Sequence, residues 1–170
     1  RARIMAFVNP AADIRGSGYN AYQATIAAGS GQLWGKGIGY GTQSKLRFLP
    51  EYETDFIFAA FAEEWGFIGV VLVLSLYGLL LARLLAISRR SATNFDAFFT
   101  LGVFLLLSAH LFIHAGINLG LLPVTGTTIP FMSYGGSHLL AEFAALGIVA
   151  SLAREGRSVP RDSAMAEYEG

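Results

Sequence analysis

The chain has 170 residues, 54% of them hydrophobic and only 14% charged, where a soluble domain carries roughly a quarter charged residues, so the composition points to a membrane protein. Lys+Arg 12 balance Asp+Glu 12 and no basic stripe forms locally, which leaves nucleic acid without support as a partner. The absence of cysteine excludes disulfide frameworks and thiolate metal sites.

The chain opens Arg1-Ala2-Arg3, with neither an initiator Met nor the apolar core of a signal peptide, and reads as the C-terminal part of a longer protein. Residues 1–55 form a long loop, rich in Gly and Ser from Pro10 to Pro50. Within it, Gly18–Ala28 predicts a short amphipathic helix lying on the membrane surface. Gly29–Gly41 (GSGQLWGKGIGYG) carries too many glycines to sustain a helix. It is not a Walker loop, which would need Gly at Ser30 and Ser or Thr at Gly37. Two readings remain: a flexible outer loop, or backbone amides that join Lys36, Lys45 and Arg47 in an anion nest for a lipid-linked pyrophosphate.

At the end of this loop Glu51, Glu53 and Asp55 crowd against an apolar run. An Asp just ahead of a helix caps its free N–H groups and complements its dipole. The same carboxylate at a water–lipid boundary can also act as a base that meets both a sugar hydroxyl and a lipid pyrophosphate. Spacing leaves both readings open.

Three spans of about 20 apolar residues follow, the length a bilayer requires. The first occupies 56–87, with a charge-free core from Trp65 to Ala82. Residues 88–96 connect it to a second span, 97–121, which contains no Asp, Glu, Lys or Arg. A loop, 122–136, leads to a third span, 137–153, interrupted by Glu142, and a polar tail, 154–170, read as disordered. Arg89 and Arg90 mark the 88–96 connection as cytoplasmic, whereas 122–136 has no Lys or Arg. The acidic cluster therefore lies on the extracytoplasmic face.

The polar residues inside these spans admit structural and functional roles. Glu63 and Glu64 line a polar cleft or sit at headgroup depth. His110 and His114 share a helix face at a spacing that suits metal ligation, but no carboxylate shares their stripe and Asn118 comes next; bonding across the bundle is the simpler role. Ser133, Ser137 and His138 lack a nucleophile elbow, so the serines read as helix-entry caps. Glu142 pairs within the bundle or takes part in chemistry.

Leu49–Gly69 (LPEYETDFIFAAFAEEWGFIG) resembles the signature loop and helix of the SEDS family, the RodA/FtsW/SpoVE membrane proteins. Gly18–Gly39 (GYNAYQATIAAGSGQLWGKGIG), Gly41–Pro50 (GTQSKLRFLP) and Gly120–Ser137 (GLLPVTGTTIPFMSYGGS) agree in the same order. GTQS and PVTG lean toward the RodA, or elongation, branch. The resemblance implies an all-α polytopic fold in the bacterial inner membrane. This chain would be part of a ten-helix fold: three transmembrane helices preceded by a long extracytoplasmic loop with short surface helices. It implies a peptidoglycan glycosyltransferase that polymerises lipid II beside a class B penicillin-binding protein and other elongation or division machinery, with undecaprenyl pyrophosphate leaving. Asp55 matches the family's essential acid and would be the general base. Lys36, Lys45 and Arg47 are expected to meet the leaving group, Glu51 and Glu64 to tune Asp55 or bind a metal, and Ser137 to contact substrate. The resemblance leaves room for a divalent cation, Mg or Mn. The family's usual HTD reads Glu53-Thr54-Asp55 here, and Thr127, Thr128, His138 and Glu142 also depart from the common pattern. A lipid-linked precursor transporter and a non-catalytic scaffold for the penicillin-binding protein are the competing readings, and the segment alone is expected to be inactive.

Overall fold

The computed structural model describes residues 17–41 and 54–158. They form four helices and, among the described residues, no strand: α1 (Ser17–Ser30), α2 (Ile57–Arg89), α3 (Asn94–Asn118) and α4 (Gly136–Ser158). Three segments, Ile57–Arg89, Asn94–Asn118 and Gly136–Arg154, are long and apolar enough to cross a membrane.

Each helix end has a local cause. α3 begins where the Thr93 side chain accepts from the Asp96 amide (3.2 Å), with Asp96 itself in the first turn, where the helix dipole favours an anion. It ends in a Schellman motif: Gly120 takes φ +71, its amide donates to Ile117 O (3.1 Å), and the Leu121 amide donates to Gly116 O (2.8 Å). These two signals make α3 start and stop earlier than the 97–121 span read from hydropathy.

α2 is not one straight rod. Gly66 sits at φ 66, ψ −168, a conformation essentially reserved for glycine, and breaks the helix after its first turns. The stretch from Phe67 to Arg89 is still about 34 Å long at 1.5 Å per residue, enough for a hydrocarbon core of about 30 Å.

The core runs along the bundle in three clusters. Ala24 and Ala27 of α1 pack on Phe56, Ala59 and Ile117. Phe58, Leu111 and Ile129 join α2, α3 and the 121–135 loop. Leu84, Val103, Leu107 and Val149 bring the three long helices together. Large apolar side chains such as Leu72, Leu76, Leu79 and Phe112 face outward, as helices solvated by lipid or by further helices require. α1 packs one face, through Ala24 and Ala27, closely against α2 and α3, while Tyr22 and Ile26 on its other face stay exposed.

Candidate functional site

Asp55 lies on a turn immediately before α2, half-buried, and the chain around it is braced from α3 and from the 121–135 loop. Asn118, the last residue of α3, is fully buried and makes three bonds at once. Its Nδ2 donates to the Asp55 carbonyl (3.1 Å) and to His114 O (2.9 Å), and its Oδ1 accepts from the Ala59 amide (3.0 Å). It thereby serves a first-turn donor of α2 that has no partner within the helix. The N-cap residue, Phe56, makes no side-chain cap bond, so this duty is carried by a neighbouring helix.

The loop supplies the second brace. Ser133 Oγ donates to the Thr54 carbonyl (3.0 Å) and accepts from the Ile129 amide (2.9 Å), a bridging role in place of the helix-entry cap expected of it. The Tyr77 hydroxyl donates to Pro130 O. His114, fully buried, has Nδ1 2.7 Å from the Thr127 carbonyl; since a carbonyl only accepts, Nδ1 carries the proton. Gly126 lies against the carboxylate at φ +73, and a Cβ there would fall 3.6 Å from Asp55 Oδ2. That is ordinary contact, so it is the left-handed backbone that calls for glycine here.

The glycine segment after α1 docks on the break in α2. Residues freed from the helical ladder by Gly66 find partners in it: Lys36 N donates to Glu63 O (3.0 Å) and Gly37 N to Glu64 O (3.1 Å), while the Phe67 and Ile68 amides donate to Gln32 O (2.8 Å) and Leu33 O (3.2 Å). Contact is backbone to backbone: a Cβ on Gly31 would lie 1.9 Å from Ala62 O, and one on Gly66 2.3 Å from Gly35 N. The amides of Lys36 and Gly37 are therefore committed to α2 and do not face an anion. The segment is a docked brace, not a flexible loop.

Lys36 Nζ lies 2.8 Å from Glu63 Oε1, whose side chain is 0% exposed, and Ser30 Oγ also reaches that oxygen (3.4 Å). A carboxylate inside an apolar helix is costly without such partners. Glu64 is half-buried beside it, and Ser137 is exposed on the first turn of α4. Lys45, Arg47, Glu51 and Glu53 lie outside the described residues.

Hydropathy and spacing did not reveal Asn118 as the organiser of the Asp55 turn, Glu63 as the partner of Lys36, or the meeting of His110 with His138 and Glu142. The available signal was the same for all of them: a polar group inside an apolar run, which must find a partner across the bundle. Among the described residues, the trio His110, His138 and Glu142 brings potential metal-ligand atoms within 4.8 Å of one another. No such group includes Asp55, Glu63 or Glu64, so the described residues do not by themselves fit a divalent ion at Asp55.

These features define a polytopic membrane protein with a carboxylate held at one end of its helices by a packed loop. The chain belongs to the FtsW/RodA/SpoVE (SEDS) family, described as cell cycle proteins, whose profile matches residues 1–158. It is 47% identical over 152 residues to the peptidoglycan glycosyltransferase MrdB of Escherichia coli K12, covering 89% of this chain and 41% of MrdB. It is 45% identical over 161 residues to the probable peptidoglycan glycosyltransferase FtsW of Thiomicrospira cyclica, covering 93% of this chain and 41% of that protein. Among solved structures it resembles a chain of a peptidoglycan synthase complex that coordinates polymerization and crosslinking, with TM-score 0.71 and 35% identity, over 94% of this chain and 43% of that one. The chain thus spans less than half the length of these relatives.

Proposed function

We propose that this chain is part of a peptidoglycan glycosyltransferase of the bacterial inner membrane that polymerises lipid II, with Asp55 as general base. The observation that carries the reading is the 47% identity to MrdB across a stretch that includes Asp55. The bracing of the Asp55 turn supports it, because a catalytic group must be held in place by its surroundings.

In the proposed step an acceptor sugar hydroxyl attacks the anomeric carbon of the donor with inversion. Asp55 takes the hydroxyl proton as the new C–O bond forms, and the bond to undecaprenyl pyrophosphate breaks with its electron pair leaving on the phosphate oxygen. Negative charge grows on that oxygen and calls for cations, the part assigned to Lys36, Lys45 and Arg47. Lys36 would do this while holding Glu63, which the three donors of an ammonium allow. Glu51 and Glu64 would set the electrostatics around Asp55, and Ser137 offers an exposed hydroxyl to substrate. The GTQS and PVTG motifs favour the elongation role. The relative in a synthase complex supports a class B penicillin-binding protein as partner.

The test reconstitutes the full-length parent in sealed vesicles with fluorescent lipid II and follows glycan length and transbilayer movement together. Glycan growth at the face on which lipid II is supplied is expected. Translocation without glycan would make the protein a transporter, and neither without the partner's own polymerising activity would make it a scaffold.

A further inference from the structure

We propose that His110, His138 and Glu142 form a binding site for a borderline divalent transition ion, Zn²⁺ in the first instance, which ties α3, α4 and the 121–135 loop together. His138 and Glu142 lie one turn apart on α4, and His110 reaches them from α3, the two imidazole centroids 5.3 Å apart. One ligand atom from each residue falls within a sphere where all lie within 4.8 Å of one another. Zn–N and Zn–O bonds of about 2.0–2.1 Å put tetrahedral ligand atoms roughly 3.3 Å apart, so small side-chain rotations close the set.

Glu142 is 6% exposed, yet its Oε1 has no hydrogen bond among the described residues, and neither has the buried Nδ1 of His110. His138 Nδ1 stands 3.0 Å from Oε1, near enough for charge pairing but without hydrogen-bond alignment. A buried carboxylate oxygen whose imidazole neighbour is not aligned to bond it is costly, as is a buried imidazole nitrogen with no bond, and a cation shared by the three side chains would offset that cost. Two imidazoles and one carboxylate suit Zn²⁺ better than Mg²⁺ or Ca²⁺, which favour oxygen, and three protein ligands leave a fourth position open.

The surroundings also fit. Glu142 Oε2 accepts from the Phe131 amide (2.9 Å), which fixes the carboxylate as an outer partner does in metal sites. Phe131, whose amide makes that bond, sits at φ 59, unusual for a large side chain. The same loop carries Ser133 and Gly126 to the Asp55 turn. An ion here would therefore stiffen the brace of Asp55 from a distance, whatever reaction Asp55 performs.

The experiment uses tag-free full-length protein in detergent, stripped with chelator and titrated with Zn²⁺, then with Co²⁺ as an optical probe. Expected are one tightly bound Zn²⁺ per chain, Co²⁺ d–d bands of tetrahedral intensity, and a higher midpoint of thermal unfolding. Glu142→Gln and His138→Ser should each weaken binding about 100-fold and abolish the bands. His138 is partly exposed, so His138→Ser keeps the test valid should Glu142→Gln fail to fold. Absence of binding by the unaltered protein, or equal binding by His138→Ser, overturns the site and leaves an ion-paired cluster.

Discussion

Asn118 joins the end of α3 to the start of α2 with three hydrogen bonds, one of them on the Asp55 carbonyl. Replacing it by Leu keeps the branched outline of the side chain, with bulkier methyl groups, but removes the Oδ1 that serves the Ala59 amide and the Nδ2 that serves the Asp55 carbonyl. A loss of about 2–3 kcal/mol is expected, read as a lower unfolding midpoint of the full-length protein in detergent, together with slower glycan synthesis at unchanged membrane insertion. At the Lys36–Glu63 pair the cost should be asymmetric. Lys36 is 32% exposed and can turn to water, whereas Glu63 is 0% exposed and cannot. Lys36→Met should therefore destabilise more than Glu63→Gln, by about 1–2 kcal/mol, and the double substitution less than the sum of the two, as a double-mutant cycle would show. Asp55 stood out in the sequence because a charge beside an apolar run is visible in one dimension. Asn118 and Glu63 were visible only as polar residues in need of partners, since which carbonyl or ammonium they reach depends on how helices distant in the chain cross.

At the scale of elements, the break in α2 and the glycine segment docked on it are one device. Gly66→Ala should cost about 3 kcal/mol or more, because the added Cβ meets Gly35 N at 2.3 Å and the backbone conformation excludes it. Gly78→Ala, on the same helix with nothing within 4 Å, should be neutral or slightly stabilising. Equal unfolding midpoints for the two variants would contradict the docking. The three long helices were legible because length and apolarity suffice to recognise them. The kink was not, since Gly66 and Gly78 look alike in sequence, and only the partner backbone packed against one of them tells them apart. The packing of α1 on α2 and α3 was not legible for a related reason: Ala24 and Ala27 are weakly hydrophobic, and what they contribute is close approach, which hydropathy does not record.

For the whole molecule, the proposed orientation puts the Asp55 turn and the 121–135 loop outside and Arg89, Arg90 and Arg154 inside. This stretch has no cysteine, so single replacements label cleanly once any in the rest of the protein are removed. A cysteine at Tyr134, 81% exposed, should react with an impermeant thiol reagent in intact cells, and one at Ser91 only after lysis; the reverse would invert the topology. The most direct measurement of the account is lipid II polymerisation by the full-length parent carrying Asp55→Asn, which keeps the size of the side chain and removes its basicity. The rate should fall by about 10²–10⁴-fold, with lipid II binding and membrane insertion retained. Glycan made at the unaltered rate would contradict it.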